Sequence, residues 1–495
     1  MVLRRGMKHS NLAGTWQYCV AFVTLMLMAN VLILHRKFSS YENENFIGAG
    51  GTSRHFRPDN YGERNHGILH FQLFKSSLEN YSVFESRLRK LMEIMDTTLD
   101  NSASHGSTER FLSYDRYFQG QHLDCDGIEN ITNKTYIASG WTKAVYKGIY
   151  KEMPVALKTV DPQGQDVSTC MEKSSSSIEC YANAAKKIVK EMVILQALNS
   201  ENVLKVLGFC LPRSADDSLW VAMVTELGES VDLIKLLQMS WEDRLRVSHD
   251  ITKIAYYLST SPYGSISMND FRRQQFVLVD GRLKLSDVDD VGFEDPVCVQ
   301  DPDCELHFSS SNFTQKLKCL NGRCSEFNEK KNLFNAGRHF TTFLLPHGAP
   351  LLLQPMIDRV IDGYSNLTMN SKELLSFMDK IVNLYKSGWY LNRTKPGDYQ
   401  TEYKKVEKSD LPGQYDYRCR FSLSGSGCTV SVFDQKEAEE VCDLDPECKG
   451  FVISSQKSWT GRIFVHLKSG IGEPSYNPST TLFIRPSRDI SARDV

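Results

Sequence analysis

Four side chains along the chain are of the types that transfer a phosphoryl group from a nucleotide to a hydroxyl. Lys158 ends the apolar strand 155–158, where a fixed cation can bind the α- and β-phosphates of ATP. Glu191 follows on a helical segment and can hold that lysine by an ion pair. Asp270 can orient the acceptor hydroxyl, and Asp287 can bind Mg²⁺ or Mn²⁺. Each residue alone would match by chance, but together and in this order they favour phosphoryl transfer.

The segments around these residues follow the order found in protein kinases but depart from the usual residues at several positions. Met268 and Asn269 replace the His-Arg that precedes the catalytic aspartate. Gln275 replaces the asparagine five residues later, and its amide oxygen can still bind a divalent ion. Asp289 replaces a glycine and can either assist metal binding or distort the turn. These departures keep open the alternative of a pseudokinase that acts as a scaffold or allosteric partner.

The loop expected to cover the phosphates lies at residues 138–145, just before the lysine strand. Gly140 keeps one position of the glycine pattern, whereas Ala138 and Lys143 stand at the other two, and Val145 follows them. Because a Cβ atom hinders close approach of the backbone, we expect a poorer phosphate cradle than the full motif provides. Lys143 can supply a positive charge in compensation.

The adenine base is expected to contact the segment that follows a later strand. Thr225, Glu226 and Leu227 end this strand and precede a glycine, which is where a kinase hinge presents backbone groups to the base. Thr225 takes the position at the back of the nucleotide site. Since any junction of strand and loop has a similar pattern, this assignment depends on the others.

An apolar segment near the N-terminus predicts a membrane anchor. Residues 16–34 contain no charged side chain and are about long enough to cross a bilayer. Arg4, Arg5 and Lys8 precede them, which predicts a cytoplasmic tail at 1–15 and a type II orientation. A cleaved signal peptide is the second interpretation. The net charge of −2, with no long basic run, excludes an electrostatic case for nucleic-acid binding.

Cysteines and glycosylation motifs place the rest of the chain in the secretory pathway. Twelve of the 13 cysteines follow the apolar segment, and an even number there predicts disulfides rather than zinc sites. The connectivity is left open by the sequence. Six Asn-x-Ser/Thr motifs predict N-glycans at Asn80, Asn130, Asn133, Asn312, Asn366 and Asn392.

Changes of pattern along the chain predict three luminal parts. Residues 35–124 are expected to form a polar stem with one amphipathic helix at 71–95. Residues 125–400 turn from strand-rich to helix-rich, which predicts the α+β, two-lobe fold of a protein kinase. Residues 401–495 are cysteine-rich and resemble the PAN/apple type of extracellular module. An adhesion protein that acts through this last part is a third functional hypothesis.

Residues 125–468 resemble the secreted protein-tyrosine kinases of the vertebrate lonesome kinase family. The segments that carry the resemblance are 139–146, 155–158, 236–244, 270–281, 328–333, 344–347 and 459–462. The resemblance implies an ATP-dependent tyrosine kinase of the Golgi lumen or the extracellular space that uses Mg²⁺ or Mn²⁺. It implies secreted and extracellular-matrix proteins as substrates. It also implies that the departures at Met268, Asn269, Gln275 and Asp289 are features of the family.

Overall fold

The computed structural model describes residues 123–173, 177–210, 221–261, 263–308, 313–391, 402–411, 413–419, 422 and 427–486. The chain divides into two units, and every described residue belongs to the second, Gly67–Val495. The predicted anchor and the predicted amphipathic helix of the stem lie outside the described residues. Among the residues that are described, no helix is both long enough and apolar enough to cross a membrane.

The first lobe is built on an antiparallel sheet in the order β1-β2-β3-β5-β4. Its strands are β1 (Thr132–Ser139), β2 (Lys143–Tyr150), β3 (Met153–Val160), β4 (Val206–Cys210) and β5 (Ala222–Glu226). Residues 155–158 of β3 are all buried, because this strand has neighbours on both edges and is covered on both faces. Lys158 therefore ends the most enclosed part of the sheet, opposite Val145 of β2 and Met223 of β5.

The start of this lobe is fixed to β4 by a disulfide and a close backbone contact. Helix α1 (Cys125–Glu129) begins at Cys125, which is bonded to Cys210 at the end of β4. The backbone of Leu123 lies so close to Gly208 that a Cβ atom there would meet the Leu123 carbonyl oxygen at 2.2 Å. Only glycine allows this approach, so the packing requires a glycine at position 208.

Two helices follow β3 and are joined by a second disulfide. They are α2 (Gln165–Met171) and α3 (Ser177–Ala197), linked through Cys170 and Cys180. The apolar residues of α3 are spaced for one helical face, and Ile188, Val189 and Met192 on that face are buried against the sheet. This packing sets the orientation of Glu191 relative to β3.

The segment between the lobes leads into a hairpin and the longest helix of the second lobe. Its elements are β6 (Glu229–Ser230), α4 (Leu233–Gln238), α5 (Trp241–Ser259), β7 (Ser267–Met268), β8 (Phe276–Val279), β9 (Arg282–Leu285) and β10 (Val291–Gly292). The β8–β9 turn is Asp280-Gly281, with φ values of 50° and 72°. An Asp-Gly pair between two short apolar segments predicts a two-residue hairpin, and the structure has the left-handed geometry that this pair favours.

The segment after β10 is braced by two disulfides that cross. It contains β11 (Glu305–Phe308), β12 (Phe313–Lys316), β13 (Cys319–Leu320) and β14 (Arg323–Cys324). Cys298 is bonded to Cys319 and Cys304 to Cys324, so each bond joins a cysteine before the β11–β12 hairpin to one after it. Neighbours in sequence such as Cys298 and Cys304 are therefore not bonded to each other.

Helices complete the second lobe and pack around α5. They are α6 (Phe327–Ala336), a π-helical turn (Gly337–Thr341), α7 (Thr342–Leu344), α8 (Gln354–Ser365) and α9 (Ser371–Lys386). Helix α5 contacts α6 and α9, and the buried Phe340 and Tyr364 fill the space between them. Short 3₁₀ turns occur at Arg273–Gln275, Asp301–Asp303, Leu351–Leu353, Trp389–Leu391 and Gly413–Tyr415. The predicted two-lobe kinase fold is confirmed.

The C-terminal part is a second antiparallel sheet with one helix against it. Its elements are β15 (Lys404–Asp410), β16 (Cys428–Val432), α10 (Gln435–Leu444), β17 (Gly450–Lys457), β18 (Ile463–Lys468) and β19 (Ser475–Ile484). The strand order is β15-β19-β17-β18-β16. Cys419–Cys428 and Cys442–Cys448 bring the disulfides of the described residues to six, so all twelve cysteines beyond the apolar segment are paired.

Candidate active site

A buried ion pair joins the first lobe's sheet to its long helix. Lys158 Nζ on β3 lies 2.7 Å from Glu191 Oε1 on α3, and Glu191 is completely buried. The same ammonium donates to the Ser286 carbonyl oxygen at 2.9 Å and to the Ser286 hydroxyl at 3.2 Å. Because burying an unpaired charge is costly, these contacts fix the position of Lys158 beside the start of the 287–289 turn.

A second lysine enters the same cluster from the start of β2. Lys143 Nζ contacts Glu191 Oε2, lies 2.9 Å from Asp287 Oδ1 and lies 3.1 Å from Asp289 Oδ2. Burial alone would lower the pKa of the Lys143 ammonium, but these three carboxylates raise it well above its usual value. Lys143 therefore stays charged and neutralises part of the acidic cluster.

The two aspartates of the turn have pKa values shifted in opposite directions. Burial favours the protonated form of Asp287, but the nearby Lys143 and Lys158 outweigh it and lower the pKa below its usual value. Burial, with the like charges of Asp287 and Glu191, raises the pKa of Asp289 to about 6 in spite of Lys143. Asp287 is thus the better anion of the two at neutral pH.

The acidic cluster fits a divalent cation. Glu191, Asp287 and Asp289 each offer a carboxylate oxygen, and the three oxygens lie within 4.8 Å of one another. Carboxylate oxygens are the ligands that Mg²⁺ and Mn²⁺ prefer. The sequence predicted Asp287 and allowed Asp289 as a metal ligand, whereas the participation of Glu191 was not foreseen.

The candidate base, Asp270, is held by its own loop. Gln275 Nε2 donates to Asp270 Oδ2 at 2.6 Å, and the Arg272 guanidinium contacts the same oxygen. The Gln275 carbonyl oxygen accepts from the backbone N–H groups of Ser286 at 2.8 Å and Asp287 at 3.2 Å. Gln275 was predicted to bind the metal ion. In the structure its amide nitrogen donates to Asp270, and the metal-binding role of its amide oxygen stays a prediction.

Helix α6 positions the strand that leads into the catalytic loop. The buried Asn332 accepts from the Met268 N–H at 3.0 Å and donates to the Ile266 carbonyl oxygen at 2.7 Å. Lys331 Nζ donates to Asn269 Oδ1 at 2.7 Å. The sequence predicts no role for α6 in this loop, because contacts between residues more than sixty positions apart leave no local signal.

The loop of the glycine pattern is a tight turn that is anchored on its outer side. Gly140 N–H donates to the Lys143 carbonyl oxygen at 2.8 Å, and nothing lies within 4 Å of where a Gly140 Cβ would stand. Thr142 contacts the Asp166 carboxylate, and Trp141 is 68% exposed.

A cavity of about 520 Å³ lies outside this turn, between Trp141 and α2, and is separate from the acidic cluster. Ala138 and Val145 pair across the two strands.

The predicted hinge follows β5, as the sequence indicated. Thr225 is completely buried and pairs with Ala156 of β3, and its hydroxyl donates to the Glu226 carbonyl oxygen at 3.1 Å. The Glu226 side chain accepts from Lys284 Nζ at 2.7 Å. Because this carboxylate is already paired, a nucleotide would meet the backbone of Glu226 and Leu227 rather than their side chains.

The predicted glycosylation sites that the structure describes are all exposed. They are Asn130 at the end of α1, Asn133 in β1 and Asn366 at the end of α8. Asn133 has a φ of 53°, a left-handed conformation that asparagine tolerates. The other three predicted sites, Asn80, Asn312 and Asn392, lie outside the described residues.

A two-lobe fold with a strand lysine paired to a helix glutamate beside an acidic turn defines a protein kinase. Residues 185–363 match the family model described as the protein-kinase domain of FAM69. The chain is 40% identical over 370 residues to the human extracellular tyrosine-protein kinase PKDCC, and the match covers 74% of each protein. The chain therefore belongs to the family of that kinase, and the family predicted from the sequence is confirmed.

A more distant similarity agrees with the same fold. The chain is 22% identical over 297 residues to Wall-associated receptor kinase-like 10 of Arabidopsis thaliana, over 58% of this chain and 34% of that protein. Protein kinases in general use ATP with a divalent metal ion. The roles of the individual site residues in this chain stay predictions, although the structure brings Lys158, Glu191 and Asp287 together.

Proposed function

We propose that this chain is a protein-tyrosine kinase of the secretory pathway or the extracellular space. It transfers the γ-phosphoryl group of ATP to tyrosines of secreted and extracellular-matrix proteins. The observation that carries the proposal is the buried ion pair of Lys158 and Glu191 beside Asp287. A protein that served only as a scaffold would gain little from this pair, because well-packed apolar residues in place of a buried ion pair are often equally or more stable.

The residues divide the work of phosphoryl transfer among them. Lys158 binds phosphate oxygens and Glu191 holds it in place, while Asp270 receives or orients the proton of the acceptor hydroxyl. Asp287, assisted by Asp289, would hold Mg²⁺ or Mn²⁺. When bound, the metal ion neutralises charge on the transferred group. The link between Asp270 and Asp287 through Gln275 keeps the acceptor side and the metal side in one geometry.

The tyrosine specificity and the cellular compartment that we propose are supported by different observations. Tyrosine as the acceptor comes from the human relative, which is named as an extracellular tyrosine-protein kinase. The six disulfides support an oxidising compartment for this chain. A Golgi location and a type II anchor at residues 16–34 are part of the proposal.

A pseudokinase is the second candidate, and two observations favour it. Lys143 holds the carboxylates that a metal ion would need, and only one glycine remains in the phosphate loop. In that case the folded domain would act as a scaffold or allosteric partner. The two candidates differ in whether phosphate is transferred, so one assay separates them.

The test is phosphotyrosine formation by the purified chain. We would incubate it with labelled ATP, Mg²⁺ or Mn²⁺ and a tyrosine-, serine- and threonine-containing peptide mixture. Asp270→Ala and Lys158→Met should abolish product, while Asp358→Ala on the exposed face of α8 and Lys147→Met on β2 should not. Product that persists in Lys158→Met would refute the assignment. Binding of ATP without transfer by the wild-type chain would establish the pseudokinase.

A further inference from the structure

One ammonium group already uses the oxygens that a divalent metal ion would need. Lys143 Nζ contacts Glu191 and lies 2.9 Å from Asp287 Oδ1 and 3.1 Å from Asp289 Oδ2. These are the same three residues whose oxygens lie within 4.8 Å of one another. The Lys143 side chain is only 11% exposed, so the ammonium group is enclosed by the cluster rather than resting at its edge.

We propose that Lys143 and the divalent metal ion compete for these carboxylates, so that Lys143 must withdraw when metal-bound ATP enters. The inference rests on the proposed function. It makes Lys143 a positioning residue that links the phosphate loop to metal binding. It also gives a reason for the lysine at a position where the motif has glycine. The sequence suggested only that its positive charge compensates for the missing glycines.

The competition follows from the space and the charge in the cluster. A metal ion bound to Asp287 would lie about 2.1 Å from its oxygen, within the same small volume that the ammonium group occupies. Two cations at that separation repel each other strongly where water is largely excluded. The three carboxylates can therefore satisfy Lys143 or a divalent ion at this position, but not both.

The position of Lys143 in the chain allows it to withdraw. It is the first residue of β2, directly after the turn at 140–142, and there is open space around Gly140. Glu191 and Lys158 stay paired through the other carboxylate oxygen, Oε1, when Lys143 leaves Oε2. Withdrawal of Lys143 thus opens the metal site without breaking the ion pair between Lys158 on β3 and Glu191 on α3.

The first test measures metal affinity without activity. Mn²⁺ would be titrated into the wild-type chain and into Lys143→Met, Lys143→Arg and Lys147→Met, with the free ion followed by electron paramagnetic resonance. For Lys143→Met we expect the dissociation constant to fall by about tenfold or more, as for removal of a unit charge at about 4 Å. Lys143→Arg, which keeps the charge, and the exposed control Lys147→Met should stay near the wild-type value.

An unchanged or weaker affinity of Lys143→Met would overturn the inference while leaving the kinase proposal intact. Failure of the wild-type chain and all variants to bind Mn²⁺ would overturn both.

A second measurement on the wild-type chain does not depend on how the variants fold. Lysine acetylation by a small reagent, read by mass spectrometry, should modify Lys143 slowly in metal-free buffer and several-fold faster at saturating Mn²⁺. Lys158, which keeps its contacts with Glu191 and Ser286, should stay protected throughout and serves as the internal control. Equal or slower labelling of Lys143 with Mn²⁺ would contradict the withdrawal of this side chain.

Discussion

At the scale of single residues, Gln275 connects the two aspartates that we propose act in phosphoryl transfer. Its amide donates to Asp270 at 2.6 Å, and its carbonyl oxygen accepts from the N–H groups of Ser286 and Asp287. One residue therefore orients the carboxylate of Asp270 and fixes the start of the 287–289 turn. An asparagine side chain is one methylene shorter, so the glutamine here matches the distance to Asp270 that this backbone requires.

We predict that Gln275→Ala lowers kcat by about a hundredfold, because a misplacement of the base by about 1 Å has an effect of that size. Mn²⁺ affinity should stay unchanged, since the Gln275 amide nitrogen donates to Asp270 and the clustered oxygens proposed to bind the metal ion belong to Glu191, Asp287 and Asp289. Steady-state kinetics and the Mn²⁺ titration check the two parts. Gln274→Ala, at the exposed neighbouring position, is the matched control. A loss of Mn²⁺ affinity in Gln275→Ala would instead support the metal-ligand role predicted from the sequence.

Asp289 gives a prediction about pH, because its pKa is raised to about 6 in the folded chain from 3.8. Its ionised form is disfavoured by folding, so above pH 6 the charge reduces the free energy of unfolding. Near pH 4 the folded state is protonated and the unfolded state is about half protonated, so most of the effect is lost. Asp289→Asn should therefore stabilise the metal-free chain at pH 7.5, by about 3 kcal/mol, and much less at pH 4.

Thermal unfolding of Asp289→Asn and wild type at both pH values checks this prediction. The control is Asp290→Asn, which changes the exposed neighbouring carboxylate. Equal stabilisation by Asp289→Asn at pH 7.5 and pH 4 would show that the effect does not come from ionisation.

At the scale of elements, the segment between β10 and α6 is held by covalent bonds. In many kinases this segment is ordered by phosphorylation, through new ion pairs. Here Cys298–Cys319 and Cys304–Cys324 cross over the β11–β12 hairpin. The rings of Phe308 and Phe313 in this hairpin stack on the ring of Phe334 on α6. Their centroids lie 3.8 Å and 5.2 Å from the Phe334 centroid. The cysteines at 298–324 lead to the hypothesis that disulfides order this segment without phosphorylation, and the two crossed bonds support it.

We predict that a chain with Cys304→Ser and Cys324→Ser loses most activity toward protein substrates but still binds Mn²⁺ and ATP. The bond closes a loop of about 20 residues, so its removal should lower stability by about 3 kcal/mol. The pair Cys419→Ser and Cys428→Ser, in the C-terminal sheet, is the control for a lost disulfide elsewhere.

Phosphatase treatment of the wild-type chain should leave its activity unchanged. Full activity after reduction of the disulfides, or loss of activity after phosphatase treatment, would argue against covalent ordering of this segment.

Local patterns in the sequence predicted the elements better than the contacts between them. The strand at Lys158, the helix at Glu191 and the hairpin at Asp280-Gly281 each depend on neighbours in the chain, and the structure has all three. The crossed disulfides and the contacts of Lys143 join residues that are far apart in sequence. Spacing and periodicity report only on neighbours in the chain. They therefore could not predict the disulfide connectivity or the contact of Lys143 with the acidic cluster.

At the scale of the whole molecule, the C-terminal sheet is joined to the second lobe through a buried carboxylate. Glu242, at the start of α5, accepts from the hydroxyls of Ser431 and Ser458 at 2.5 Å each and also contacts Thr460. The indole N–H of Trp459 donates to the Glu242 carbonyl oxygen at 3.3 Å. These partners lie about two hundred residues beyond Glu242, so the C-terminal part completes the hydrogen bonding of a kinase helix.

A second connection crosses the same boundary. Arg462 in the C-terminal part donates to both carboxylate oxygens of Glu437 at 2.9 Å and contacts the hydroxyl of Tyr390, which follows α9. The guanidinium also lies over the ring of Tyr385, 4.6 Å from its centroid. Because Arg462 and Glu437 are both buried, separating the two parts would expose this ion pair and remove the contacts of Arg462 with Tyr385 and Tyr390. The C-terminal part is therefore better understood as a support of the kinase lobe than as an independent adhesion module.

This support predicts what loss of the connection would do. Glu242→Ala leaves three hydroxyl donors without their acceptor, and we expect the free energy of unfolding to fall by about 3 kcal/mol, with less protein secreted. A chain that ends at Leu391 should not be secreted in folded form, because Glu242 would lose every partner that the C-terminal sheet supplies. Glu440→Ala, on the exposed face of α10, is the matched control. Secretion yield and thermal unfolding measure both effects. If the shortened chain were secreted with unchanged stability and kinase activity, the two parts would be independent, and the adhesion hypothesis for the C-terminal sheet would regain its force.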